Sequence, residues 1–237
     1  EGLDVHVRDF AGGALALQAV HDGAAHVCSG AYEHTLLQQS QGHDFRAFVV
    51  QGRAPQQALG VSVRALPGYR RPADLRGRRV GVSAPGSSTQ VMASVLLARS
   101  GVDPREVSFV GVGTGVTAVA ALRSGRVHAL CHADPILALL EHRGEVRLVS
   151  DLRTLTAAQE VFGGAMPASC LYAPQAFLHK EPMVAQALTN AIVHALKWLQ
   201  TASPADLIKA VPASYVLGDR AVYLAAFNRV RETFSPN

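Results

Sequence analysis

The sequence predicts an α/β protein of two similar lobes, each built on a mostly parallel sheet. Three observations lead there. Short apolar runs rich in β-branched residues alternate with amphipathic segments closed by glycine, the pattern of repeated strand and helix units. Seven residue pairs share one gapless offset of 102: Gly13 and Gly115, Ala16 and Ala118, Ala19 and Ala121, Gly23 and Gly125, His26 and His128, Ala31 and Ala133, Gly42 and Gly144. The 237 residues are 49% hydrophobic, enough for two globular cores and too apolar for disorder. A repeat this long is a duplicated lobe and not a solenoid.

The elements follow in order. Leu3 to Arg8 alternates apolar and polar residues and predicts a strand, followed by the turn Gly12-Gly13. Ala14 to Asp22 predicts a helix closed by Gly23. Ala25 to Cys28 predicts a strand, Tyr32 to Gln41 a helix capped by Gly42, and Phe45 to Val50 and Leu59 to Val63 two strands. In the second copy, Val80 to Ser83 predicts a strand, Ala84-Pro85-Gly86 breaks it, and Ser87 starts a helix that ends at Gly101. Val107 to Val110, the helix Val116 to Ser124, the strand Val127 to Cys131, a helix from Pro135 to Gly144 and the strand Val146 to Val149 repeat the first order. Ala168 to Tyr172 predicts a returning strand. Helices starting at Glu181-Pro182, Ser203-Pro204 and Asp219 complete the chain. The second copy carries a strand, turn and helix ahead of Val107 that the first copy lacks ahead of Leu3. A matching unit of about 25 to 30 residues is therefore expected before Glu1.

Composition narrows the function classes. No run reaches the roughly 18 apolar residues of a membrane helix. The first residues do not read as a signal peptide, which fits a cytoplasmic protein or a processed exported one. The net charge is +4, and its densest basic run, Arg70 to Arg79, has no aromatic platform beyond Tyr69. It reads as a solvated inter-domain connection, and no nucleic-acid partner is expected. Cys28, Cys131 and Cys170 form no CxxC pair; Cys28 and Cys131 end apolar strands and read as buried thiols.

In an open parallel sheet, ligands bind beyond the carboxyl ends of the strands, at helix N-termini. Those ends are Gly12, Gly13, Ser29, Gly30, Tyr32 and Gln51 in the first lobe. In the second they are Ser87, Ser88, Thr89, Gly113, Thr114 and Asp134. Small residues, hydroxyls and backbone N–H groups dominate, which suits holding a solute by hydrogen bonds. Gly111-Val112-Gly113-Thr114-Gly115 puts Val116 where a dinucleotide fingerprint continues, and Gly86 to Thr89 lacks the lysine of a phosphate loop. His128 and His132 flank Cys131, but strand alternation separates the three side chains, so no metal or cofactor is expected. No nucleophile and base pair stands out, so no catalytic residue is assigned.

Several motifs in this order carry a resemblance. They are Gly2-Leu3-Asp4-Val5, Gly12-Gly13, Arg76-Gly77-Arg78-Arg79-Val80-Gly81-Val82 with Pro85-Gly86-Ser87-Ser88, Ala120 through Ala129, and Asp134-Pro135. The chain resembles the substrate-binding proteins of nitrate/sulfonate/taurine-type ABC importers, a group that takes in pyrimidine-binding and thiamine-precursor proteins. The resemblance implies a type II periplasmic binding fold, with two lobes, a two-strand hinge and a ligand in the cleft. It implies a monomeric, exported, periplasmic protein that hands a sulfonate, carboxylate or pyrimidine-like solute to a membrane permease. The expected lobes are 1–65 with 166–237, and 66–165, with crossings near Arg64–Arg76 and Gly163–Ser169. Family members usually begin before and continue past this chain. Two alternatives share the architecture: a pyrimidine synthase or transferase, and an effector-sensing domain of a regulator. The synthases carry a cysteine-rich cluster that this sequence lacks.

Overall fold

A computed structural model describes residues 2–234. Helix α1 (Gly13–His21), β1 (Cys28–Ala31), α2 (Tyr32–Ser40), β2 (Phe45–Val50) and β3 (Gln57–Ser62) come first. The second copy runs β4 (Arg79–Val82), α3 (Ser88–Arg99), β5 (Ser108–Gly111), α4 (Val116–Arg123), β6 (Ala129–Ala133), α5 (Ile136–His142) and β7 (Val146–Asp151). Helix α6 (Leu155–Phe162), β8 (Ser169–Pro174) and the helices α7 (Gln175–Lys180), α8 (Pro182–Thr201), α9 (Pro204–Ala210), α10 (Ala213–Val216) and α11 (Arg220–Val230) follow. Gly23 and Gly125, paired by the repeat, have φ of 72° and 74°, the left-handed conformation that ends a helix without a Cβ penalty.

The strands form two sheets, of order β1-β8-β2 and β5-β4-β6-β3-β7. Neither is mostly parallel as the sequence predicts: the five-stranded sheet is mixed, and the three-stranded one pairs only antiparallel. β4 runs parallel to β5 and β6, but β3 is antiparallel to β6 and β7, and β8 is antiparallel to β1 and β2. The cause is an exchange. At the repeat offset, β1 and β2 correspond to β6 and β7, and the strand between each pair arrives from the other half of the chain. Because β3 already lies in the second sheet, the chain crosses before Gln57, not near Arg64–Arg76. The basic run is then a connection within the second half. Asp74 Oδ2 accepts the amides of Arg70 and Arg71, and Arg76 pairs with Glu106.

Three further differences have physical reasons. Residues 2–10 contain no strand, and Leu3, Val5 and Val7 are exposed. Leu3 to Arg8 occupies the repeat position of β5, whose one partner is β4; among the described residues the first sheet has no counterpart of β4 to pair with. β1 begins three residues later than expected, because the amides of Ala24 and Ala25 turn back to Ala19 O and close the preceding helix. Helix α11 buries Val222 and Ala226 in the core formed by α4 and α5, so the tail assigned to the first lobe also braces the second. No helix among the described residues is long and apolar enough to cross a membrane.

The second sheet has a core on each face. Ala58, Leu130 and Leu137 pack with α4, α5 and α11, while Leu59, Val61, Val80 and Cys131 pack with α3. Between α5 and the ends of β6 and β7 sits Arg153, 1% exposed. Its guanidinium donates to Asp151 Oδ1 and Oδ2 at 2.9 and 2.7 Å, to Glu141 Oε2 at 3.1 Å and to Asp134 Oδ1 at 3.2 Å. Arg229 of α11 adds a second cation on Glu141 at 3.0 Å. A fully buried cation persists only when so paired. Replacing Arg153 by alanine leaves three carboxylates facing each other with one cation lost. Denaturant titration should show a loss of about 3–5 kcal/mol, and a loss below about 1 kcal/mol would mean the cluster is not a structural anchor.

Candidate functional site

The expected residues fall partly at a contact between the two halves of the chain and partly in separate pairs within each half. Gly12 precedes α1, and its backbone lies against the turn between β4 and α3. A Cβ added there would stand 2.7 Å from both Ala84 Cβ and Ser87 Oγ. The Ala14 amide donates to Ser87 Oγ at 3.1 Å. Ser87 is thus the N-cap residue of α3 by position but makes no side-chain hydrogen bond to its own helix. Its hydroxyl is spent on the first turn of the other lobe's helix, and the first-turn amides of α3 receive no side-chain cap.

Beneath this contact stands His34 of α2, 1% exposed. Its ring fills the space beside Gly13, where a Cβ would come within 2.9 Å of Cε1. Nδ1 lies 3.2 Å from the Tyr172 hydroxyl, and Nε2 has no partner. Burial pushes this imidazole below its ordinary pKa, opposed by Glu33 and by the Gly86 backbone across the cleft. Helix α2 is inverted in polarity here: His34, Thr35 and Gln38 face inward while Leu36 and Leu37 are exposed.

The remaining first-lobe residues pair off. Ser29 Oγ donates to Gln51 Oε1 at 3.0 Å, bridging the two edge strands across β8. The Gln51 amide donates to Ser169 O at 2.7 Å, and that of Tyr32 to Ala168 O at 2.6 Å. Tyr32 is half-buried on the Cys28, Phe45 and Tyr172 core. Gly30 lets Tyr172 lie flat against β1, since a Cβ would stand 3.0 Å from its ring.

In the second lobe, Thr89 is buried and structural. Its hydroxyl accepts the Ser83 amide and bonds Ser83 Oγ, both at 2.9 Å. Ser88 Oγ accepts from Gln57 Nε2 at 2.9 Å. Gly113 has φ of 79°, and its carbonyl accepts from His132 Nε2 at 3.0 Å. The His132 Nδ1 accepts the Ala133 amide, so the ring is the neutral Nε2–H tautomer. Thr114 is exposed. Asp134 Oδ1 accepts from Arg153 and from the Ala138 amide, which ties this carboxylate to the buried ion cluster, while Oδ2 has no partner. Burial pushes its carboxyl upward and Arg153 opposes that.

Cys131 and Cys170 are buried with thiols pushed up to about 12, and Cys28 is buried and also raised. That fits unreactive core thiols. Among the described residues no group of three His, Cys, Asp or Glu side chains could hold a metal. Two surface depressions, one over α4 and α5 and one between His21 and His179, contain none of the expected residues.

Two residues escape the sequence reading. Gln57 and His34 both reach the meeting of the lobes, and neither sits at the carboxyl end of a parallel strand. Gln57 opens an antiparallel strand, so its amino end shares the edge with the carboxyl ends of its neighbours. A polar residue heading a wholly buried apolar run was the available signal.

Two variants test this arrangement. His132 is neutral when folded, with burial holding its pKa below 6.5. The unfolded chain takes up a proton as pH falls through about 6.5, and the folded chain does not. Stability is therefore full above that pH and declines below it, by up to about 1.4 kcal/mol per pH unit for this group. His34 and His128 are also depressed and act with the same sign. Unfolding free energies from pH 7.5 to 5.5 should fall less steeply in His132→Asn; equal slopes would clear His132. Gly12→Ala forces a methyl into Ala84 and Ser87. Calorimetric melting should show a loss of about 1–3 kcal/mol, and an unchanged Tm would mean that the lobes do not rest on this contact.

The comparisons agree with this geometry. The chain matches the NMT1/THI5-like family over residues 1–205. A solved structure from Bordetella bronchiseptica RB50 superposes with TM-score 0.97 at 54% identity, over all of this chain and 74% of that one. The alkanesulfonate-binding protein SsuA of Xanthomonas axonopodis pv. citri, bound to MOPS, gives TM-score 0.70 at 20% identity over 93% of this chain and 71% of its own. The periplasmic nitrate-binding protein NrtA of Synechocystis PCC 6803 gives 0.64 at 13% identity, over 96% and 62%. No curated protein matches the sequence. The two sheets, each completed by a strand from the other half of the chain, and the fold they build are those of a type II periplasmic binding protein, and the chain belongs to the NMT1/THI5-like family.

Proposed function

We propose that this protein captures a small polar or anionic organic solute between its lobes and delivers it to the membrane permease of an ABC importer. The observation that carries the reading is the contact of α1 and α3 across the lobes. Ser87 gives its hydroxyl to the Ala14 amide, so α3 keeps uncapped first-turn donors at the mouth of the cleft. Such donors, with the helix dipole behind them, favour an anionic or acceptor group. A solute touching both lobes favours the closed arrangement by its differential affinity for it. The structural neighbours that bind an alkanesulfonate buffer and nitrate support the class, as does family membership. Export to the periplasm and action as a monomer belong to the same reading. Binding and release need no covalent step.

A thermal-shift screen of alkanesulfonates, carboxylates and aminopyrimidines tests it. A true solute at a hundredfold excess over its Kd stabilises the fold by about 2.7 kcal/mol. Ser88→Ala should weaken that solute by roughly 5- to 20-fold, about 1–2 kcal/mol, and should also lower the unliganded Tm, because it unpairs the buried Gln57 Nε2. Turnover of any of these compounds, followed by mass spectrometry, would replace the transport reading with an enzymatic one.

A further inference from the structure

The second sheet concentrates positive charge at one end. The loops that enter β4, β5, β6 and β7 and the loop that leaves β3 all reach the end of the sheet opposite to Ser87 and Gly113, because β3 runs antiparallel to its neighbours. Helices α3, α4 and α5 finish there too. Residues 64–79, 99–106, 123–126 and 143–147 make up this end. They hold 12 of the 22 lysines and arginines, all of them arginine, and 4 of the 18 carboxylates. With histidine neutral this end is net +8 while the whole chain is net +4, so the rest of the chain is net −4. All 12 arginines are exposed. Each of the 4 carboxylates already faces an arginine, at 2.6 to 4.0 Å. The other 8 arginines make no ion pair among the described residues. Backbone carbonyls hold some guanidinium groups in place without neutralising them. Arg79 Nε donates to Arg126 O at 2.6 Å, Arg76 Nη2 to Gly101 O at 3.0 Å and Arg147 Nη1 to Tyr69 O at 3.2 Å. These bonds stitch separate loops into one cationic plate.

We propose that this plate docks the protein on an anionic lipid surface. Guanidinium groups are weakly hydrated and match phosphate oxygens in geometry, and clustered arginines are drawn to a negatively charged bilayer. A lipid surface suits the plate better than a nucleic acid does. The arginines are spread over loops across the end of a sheet, not along a helix that enters a groove. The one aromatic residue of these segments, Tyr69, is half-buried and gives bases no stacking platform. None of the exposed large apolar residues among the described ones lies in the plate, so attachment is by charge alone and is reversible. Ser87 and Gly113, at the other end of the strands, stay uncovered. The inference holds whatever solute the protein takes.

Co-sedimentation of the full chain with lipid vesicles, without added solute, tests it. The protein should pellet with vesicles of about 40% phosphatidylglycerol in phosphatidylcholine at about 0.1 M salt, where the Debye length is about 10 Å. It should be released at about 1 M, where that length is about 3 Å, and should not pellet with phosphatidylcholine alone. Arg70→Ser with Arg78→Ser removes two exposed charges that make no ion pair and should weaken partitioning about 20-fold, at roughly fivefold per arginine. Lys180→Ser with Lys197→Ser removes the same charge far from the plate and should change partitioning less than about threefold. Failure to pellet with the anionic vesicles, equal pelleting with neutral ones, persistence at high salt, or equal losses in the two double variants overturns the docking surface and leaves solute binding standing. Tighter binding to a DNA duplex of about 20 base pairs than to vesicles of equal phosphate concentration also overturns it and makes the plate a nucleic-acid face. If the first double variant fails to fold, Arg64→Ser with Arg99→Ser takes its place with the same expected loss.

Discussion

Each sheet is completed by a strand that belongs to the other half of the chain. β3 enters between β6 and β7, and β8 enters between β1 and β2, both antiparallel to their neighbours. This exchange dictates where everything else falls. It brings the amino ends of two strands to the edge that already carries the carboxyl ends of the others. The connections there, Gln51 to Gln56 and Gly163 to Ala168, are held by backbone pairs such as Gln51 to Ser169 and Gln56 to Leu152. The two halves are therefore joined by hydrogen-bonded connections at that same edge.

The polar interior follows from this layout. Where the lobes meet, apolar side chains give way to Ser87, Thr89, His132, Gln57 and His34, all at most 7% exposed. Some are spent internally. Thr89 satisfies Ser83, and His132 joins β6 to the Gly113 turn. Others keep an atom free, namely His34 Nε2 and Gln57 Oε1. The distinction separates groups whose polar atoms are satisfied within the fold from groups that keep one unpaired. Asp134 belongs to both sets, with one oxygen bound by Arg153 and the other open.

Much of this was legible in the sequence. The 102-residue offset exposed the duplication, and glycine caps such as Gly23 and Gly125 placed helix ends within a residue or two. The Ser87-Ser88 turn followed from the end of β4, whereas Gly12-Gly13 was reached from a strand, Leu3 to Arg8, that the structure does not form. Strand direction did not follow, because an apolar run such as Leu59 to Val63 reads the same whichever way it pairs. That ambiguity put the crossing some residues too late and hid Gln57. The Arg153 cluster was equally hidden, since its partners Asp134, Glu141 and Asp151 are gathered from three separate elements. Leu3 to Arg8 shows the converse, an alternating pattern that stays unpaired because its neighbour is not among the described strands.

The exchange of strands also interlocks the two halves mechanically. Neither sheet can be dismantled without withdrawing a strand whose continuation is anchored in the other, and α11 ties the tail of the chain back to the opposite core. A disturbance in one lobe is thereby transmitted through covalent chain as well as through surface contact. Domains of this build resist separate melting, because unfolding one half pulls a strand out of the other half's sheet.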